Sequence, residues 1–100
     1  MRYFLFLAAF LLSAMSARAE DVVIKSFAFG PQAVTVKAGT KVTWVNKDIE
    51  PHTVVSSDQK FQSEALDTND TFSVTFDKAG SYGYFCSLHP HMTGTVTVTP

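Results

Sequence analysis

Residues 80–92 read GSYGYFCSLHPHM, and this stretch constrains the fold more than any other. Its first half predicts a β-strand, because alternation would place Tyr82, Tyr84 and Cys86 on one face of a sheet. Its second half places two histidines and a methionine within six residues of the only cysteine in the chain. The stretch therefore predicts a strand that ends in a tight loop rich in soft metal ligands.

Short runs of alternating or β-branched residues, separated by turn residues, continue this pattern on both sides. No segment after residue 20 shows a sustained helical period, so the pattern indicates an all-β fold. We predict a Greek-key sandwich or small barrel of about seven to eight strands, with Trp44, Phe72 and Phe76 in its core. The predicted strands are residues 22–29, 33–37, 40–46, 52–56, 70–76, 80–86 and 93–99, with a weaker candidate at 61–66.

The N-terminus has the order of a secretory signal peptide. One positive charge at Arg2 precedes the apolar run 3–12, and Ala17 and Ala19 have the spacing of a cleavage site. The run is shorter than the roughly 20 apolar residues that span a bilayer, which disfavours the alternative of an uncleaved membrane tether. We predict a signal peptide at residues 1–19, a single domain at 20–100, and a periplasmic protein with no membrane association after cleavage.

Charge and cysteine content narrow the classes of function. Without Arg2 and Arg18 the chain keeps six lysines against nine acidic residues, a net charge of −3. It has no basic cluster for phosphates, so nucleic acid is not an expected partner. Its acidic residues are interpreted as a solvated surface, with the alternative that Asp48, Glu50 and Asp58 lie near the active end and bias the choice of partner. A lone cysteine cannot form an internal disulfide, and in an oxidising compartment its sulfur favours a bound metal.

The ligand types in the loop favour copper. Cys86, His89 and Met92 offer a thiolate, an imidazole and a thioether, a soft set that suits copper better than magnesium, calcium or manganese, and structural zinc usually takes four Cys or His ligands. One cysteine, two histidines and a weak axial methionine form a type 1 copper site. His52, in an extended segment 34 residues before Cys86, is the candidate second histidine, whereas His91 adjoins Met92 and should point into solvent.

Three segments together resemble the cupredoxin family, in its amicyanin, plastocyanin and pseudoazurin group. They are residues 46–53 (NKDIEPHT), 80–92, and 94–98 (GTVTV). The spacing Cys-x-x-His-x-x-Met is similar to the short ligand loop of amicyanin. The resemblance extends over essentially all of the predicted mature chain.

The resemblance implies one copper ion per chain, bound by His52, Cys86 and His89, with Met92 as the long axial ligand. It further implies a monomeric one-electron carrier whose periplasmic redox partners dock transiently near His89. By the same resemblance, the Asn46 side chain should tie the His52 loop to the residue after the cysteine.

Two other functions remain open on sequence alone. One is a periplasmic copper carrier or storage protein without electron transfer. The other is a thiol enzyme in which His89 or His52 activates Cys86, although no oxyanion-stabilising element accompanies these residues and Met92 would then have no role.

Overall fold

The computed structural model describes residues 18–100, so residues 1–17 of the predicted signal peptide lie outside it and cleavage remains a prediction. Residues 18–100 contain no helix, and so no helix long and apolar enough to span a membrane. The described chain is built from eight strands: β1 (Ala19–Lys25), β2 (Ala28–Gly30), β3 (Ala33–Lys37), β4 (Thr40–Asn46), β5 (Val55–Ser56), β6 (Thr71–Phe76), β7 (Gly80–Cys86) and β8 (His89–Thr99).

The strands form two four-stranded sheets, in the orders β2-β1-β4-β6 and β3-β8-β7-β5. Both sheets are mixed, because β1 runs parallel to β4 and β3 runs parallel to β8 while the other pairs are antiparallel. The inward faces carry the apolar positions of the alternating runs, as expected for packed sheets. The predicted all-β sandwich of seven to eight strands is confirmed.

The prediction of one strand over residues 22–29 was wrong. Lys25 pairs with Ala28, so β1 and β2 form a hairpin whose two-residue turn is Ser26 and Phe27. Both turn residues have positive φ, 52° and 58°, the backbone of the turns that suit such hairpins. Glycine or asparagine normally marks these turns, and neither is present here. A left-handed backbone costs roughly 1–2 kcal/mol per non-glycine residue, so contacts elsewhere must hold this turn.

The segments predicted as strands at 52–56 and 61–66 are only partly regular. Strand β5 contains only two residues. The segments 52–56 and 61–66 contact each other through isolated bridges, of which one joins His52 to Leu66. The backbone N–H groups of His52 and Leu66 each donate to the other's carbonyl, at 3.1 and 2.7 Å. Residues 61–66 therefore do not form a strand, but they fix the backbone on which His52 is carried.

The apolar core extends along β7 as far as Cys86. Trp44 is fully buried, and its ring meets that of Tyr84 at 5.2 Å in an edge-on arrangement. Tyr84 and Cys86 point inward from β7 with exposures of 1% and 0%, as the alternation predicted. Phe72 packs against this core and Phe76 lies within it. The sulfur of Cys86 is thus buried within the sandwich, on the strand face that also carries Tyr84.

The pairing of β7 with β8 leaves no room for a side chain at Gly94, which lies opposite Tyr84. A Cβ atom there would overlap the Tyr84 ring. We expect Gly94→Ala to lower the free energy of unfolding of the metal-free protein by about 1–3 kcal/mol, through overpacking, as measured by urea denaturation. Gly83→Ala is the control, because its Cβ would lie 3.5 Å from Ser57 Oγ, an ordinary contact. Equal losses in the two variants would contradict the packing described.

Candidate metal centre

The donor atoms of His52, Cys86 and His89 meet at one end of the sandwich, all within 4.8 Å of one another. Cys86 Sγ lies 3.8 Å from His52 Nδ1 and 3.7 Å from His89 Nδ1. His52 and Cys86 are fully buried, while His89 is half-buried. The structure therefore brings together three of the four residues predicted as ligands, with one nitrogen of each ring facing the sulfur.

The hairpin between β7 and β8 positions Cys86 and His89. These two residues pair across a two-residue turn, so β8 begins at His89 and not near residue 93 as predicted. The register then shifts, because Phe85 pairs with Thr93 and residues 90–92 have no partner. Such a bulge redirects side chains relative to the regular strand.

Within the bulge, Met92 turns inward and His91 turns outward. Met92 is 4% exposed and belongs to the core cluster, whereas the neighbouring His91 is exposed. This confirms the expectation that His91 lies in solvent. Met92 lies at the same end of the sandwich as the three donors, in a cleft that Phe27 and Phe29 also line.

Thr53 connects the His52 segment to the cysteine loop. Its backbone N–H donates to Cys86 Sγ at 3.3 Å, and its Oγ1 accepts from the N–H of Ser87 at 2.7 Å. The two hydroxyls of Thr53 and Ser87 also share a hydrogen bond of 2.8 Å. The sequence reasoning missed this role of Thr53. The register of the strands could have indicated this role. Val55 pairs with Phe85, and extending this antiparallel pairing by two residues places Thr53 opposite Ser87.

The predicted tie between Asn46 and Ser87 was wrong. Asn46 Nδ2 donates to the carbonyls of Glu50 and Leu66, at 2.9 and 2.8 Å, and Oδ1 accepts from the N–H of Asp48 at 2.8 Å. The buried amide is thus satisfied by the loop that leads to His52 and by Leu66. Asn46 orders this loop, and the link to the cysteine loop is made by Thr53.

Asp48 is the second residue whose role the sequence did not reveal: it was expected on the acidic surface near the active end of the domain, and its contact with His52 was not foreseen. Its Oδ2 lies 2.9 Å from His52 Nε2 and accepts the N–H of Phe27 at 3.0 Å. The bond from Phe27 and that from His52 lower the pKa of the Asp48 carboxyl. A carboxylate on Nε2 favours a proton at that nitrogen, so Nδ1, the nitrogen that faces Cys86, is the one available to bind a metal.

The environment of Cys86 favours the thiolate. Burial raises the pKa of the thiol, but hydrogen bonds from the Thr53 N–H, His52, His89 and the Leu88 N–H outweigh it and lower the pKa to about 6. The thiolate is the form of cysteine that binds metals. One thiolate and two imidazole nitrogens, with a buried thioether nearby, fit a copper ion in a type 1 site.

Comparison with known proteins agrees with this geometry. The family model described as a cupredoxin-like domain matches residues 2–98. The chain is 38% identical over 87 residues to amicyanin from Paracoccus versutus, covering 82% of this chain and 66% of that one. It is 40% identical over 97 residues to plastocyanin from Scenedesmus fuscus, covering 78% of this chain and 99% of that one.

Solved structures give the same result. The structure of amicyanin from Paracoccus versutus has a TM-score of 0.74 at 36% identity, covering 86% of each chain. A purple cupredoxin from Nitrosopumilus maritimus has a TM-score of 0.78 at 34% identity, covering 80% of this chain and 99% of that one. The fold and the site define a cupredoxin-type metalloprotein. This chain belongs to the cupredoxin family.

The lowered pKa of Cys86 predicts a pH-dependent stability in the metal-free protein. The pKa is about 6 when folded and near the ordinary 9.0 when unfolded. Between these values the unfolded chain binds more protons at Cys86, so this residue makes the folded state more stable as the pH rises. We expect the thermal midpoint of the metal-free protein, relative to that of Cys86→Ser, to increase from about pH 6 to about pH 9. A difference that stays constant or falls over this range would contradict a stabilised thiolate.

Proposed function

We propose that this protein is a type 1 copper electron carrier, with copper bound by His52, Cys86 and His89 and with Met92 as the axial ligand. The observation that carries the proposal is the convergence of one buried thiolate and two imidazole Nδ1 atoms within 4.8 Å. One thiolate, two imidazoles and a thioether form the donor set of a type 1 site, whereas structural zinc usually takes four Cys or His ligands and calcium takes oxygen ligands. One ion per chain is proposed, since each chain has one cysteine.

Bound copper would supply one-electron chemistry by alternating between Cu(II) and Cu(I). The protein's part is to hold the donors so that they move little between the two states. Thr53 holds the sulfur, Asp48 holds one imidazole, and the tight hairpin holds Cys86 against His89. A rigid, largely buried donor set reduces the rearrangement that accompanies each transfer. The buried state of Cys86 also supports a carrier more than a thiol enzyme, whose nucleophile must reach its substrate.

His89 is the proposed route for electrons, because it is the half-buried histidine of the pair. Exposed apolar side chains at the same end of the domain include Leu88, the residue before it, and Phe27, which contacts its ring. The proposed partners are redox proteins that dock transiently on this small apolar surface, as weak electron-transfer contacts do. The predicted signal peptide supports a periplasmic location, and the protein is proposed to act as a monomer.

A visible spectrum tests the proposed function. Adding Cu(II) to residues 20–100 should give an intense blue thiolate-to-copper band, and Cys86→Ser should abolish it. A colourless complex of equal stoichiometry, or unchanged affinity in Cys86→Ser, would contradict the proposal and favour a copper carrier or storage protein.

The two neighbouring histidines provide a matched pair within the same experiment. His89→Gly should remove the blue band, because it removes a donor that faces Cys86. His91→Gly should retain the band, because His91 is exposed and lies in the bulge. The opposite result would show that His91 is the ligand.

A further inference from the structure

Phe27 contacts both histidines of the candidate metal centre. Its ring centroid lies 5.4 Å from that of His52 and 4.9 Å from that of His89, with interplanar angles of 86° and 84°. The two imidazole centroids are themselves 4.9 Å apart. Phe27 is 48% exposed, so its ring packs on the imidazoles from the solvent side. The three rings form one cluster at the end of the sandwich.

The backbone of Phe27 is held by the network that orients His52. Its N–H donates to the same Asp48 oxygen that lies against His52 Nε2. Phe27 also keeps a left-handed backbone, φ 58°, that a side chain disfavours and glycine adopts freely. Strain of this kind persists where surrounding contacts impose it, and such sites are often functional. The turn therefore places an aromatic ring at a fixed point, beside the donors.

The two imidazoles differ in how they are otherwise restrained. His52 has Asp48 on its second nitrogen, and its backbone pairs with Leu66. The ring of His89, within residues 18–100, has a hydrogen-bond contact only with Cys86 Sγ. A ring packed edge-on against His89 limits its rotation away from the sulfur. Phe27 supplies this restraint, which hydrogen bonding does not.

We propose that Phe27 is a positioning residue for the metal centre, whose ring keeps the imidazoles of His89 and His52 directed at Cys86 and slows release of the metal. The proposal rests on the proposed function and deepens it, since it assigns a role at the same site to a residue that is not a ligand. The ring acts through the histidines and donates nothing to the metal.

The first test uses the metal-free protein and the NMR signals of the imidazoles. Phe27→Leu keeps an apolar side chain and removes the aromatic ring. The proposal predicts that the side-chain proton shifts of His52 and His89 change and that the His89 ring becomes more mobile. Unchanged shifts and mobility at His89 would overturn the proposal.

The second test measures copper loss to a Cu(I) chelator from the loaded protein. Phe27→Leu should release copper on the order of tenfold faster, the lower end of the effect known for residues that orient metal ligands. Phe27→Tyr keeps the ring and should release copper at the wild-type rate. Val23→Ala, an exposed apolar position on β1, is the control and should also match the wild type.

Phe27→Gly separates positioning from general stability. It removes the ring, relieves the left-handed backbone and retains the N–H that Asp48 accepts. Positioning predicts a metal-free protein that resists urea at least as well as the wild type, yet releases copper as fast as Phe27→Leu. If Phe27→Leu and Phe27→Gly both release copper at the wild-type rate, the positioning role of Phe27 is refuted. A blue spectrum of the wild type would in that case still support the proposed function. A wild type without the blue band would refute the proposed function, and the metal-free NMR comparison would still decide whether Phe27 orients the imidazoles.

Discussion

The metal centre depends on the hydrogen bonds by which Thr53 joins two segments that are distant in the chain. Its amide donates to the sulfur of Cys86, and its hydroxyl accepts the N–H of the next residue, Ser87. A thiolate at the end of an apolar core is unfavourable unless donors compensate for its lost hydration. Because the Thr53 N–H is a backbone group next to His52 in the chain, the contact that stabilises the charge also brings His52 close to Cys86.

Charge at the site follows from this arrangement. A thiolate with Cu(II) has a formal charge of +1, and with Cu(I) it is neutral, so neither state places a large charge in the interior. Asp48 adds a carboxylate on the far side of His52, at 2.9 Å from its Nε2, and its pKa is lowered by the Phe27 N–H and by His52. The carboxylate favours the oxidised, more positive state by Coulomb attraction, while its hydrogen bond fixes the imidazole orientation. One side chain thus affects both the geometry and the electrostatics of the centre.

Much of the fold and the ligand set could be predicted from the sequence, because both follow from local patterns. Alternation placed Tyr84 and Cys86 inward, and the spacing of soft ligands identified His89. His52 followed as the second histidine that a type 1 site requires, with support from the family resemblance. The hairpin turn at Ser26 and Phe27 could not be predicted, since it lacks glycine and is held by contacts with a distant loop. The partners of Asn46 and Asp48 were missed for a related reason: a polar side chain bonds to whichever group the long-range register brings near it.

We infer that the fold itself positions the copper donors, and crystal structures of the metal-free, Cu(II) and Cu(I) forms would test this inference. We expect copper within bonding distance of His52 Nδ1, Cys86 Sγ and His89 Nδ1, with the Met92 sulfur at a longer distance. We also expect the three donors to occupy nearly the same positions in all three forms. Donors that rearrange when copper binds, or coordination by His91 in place of His89, would contradict it.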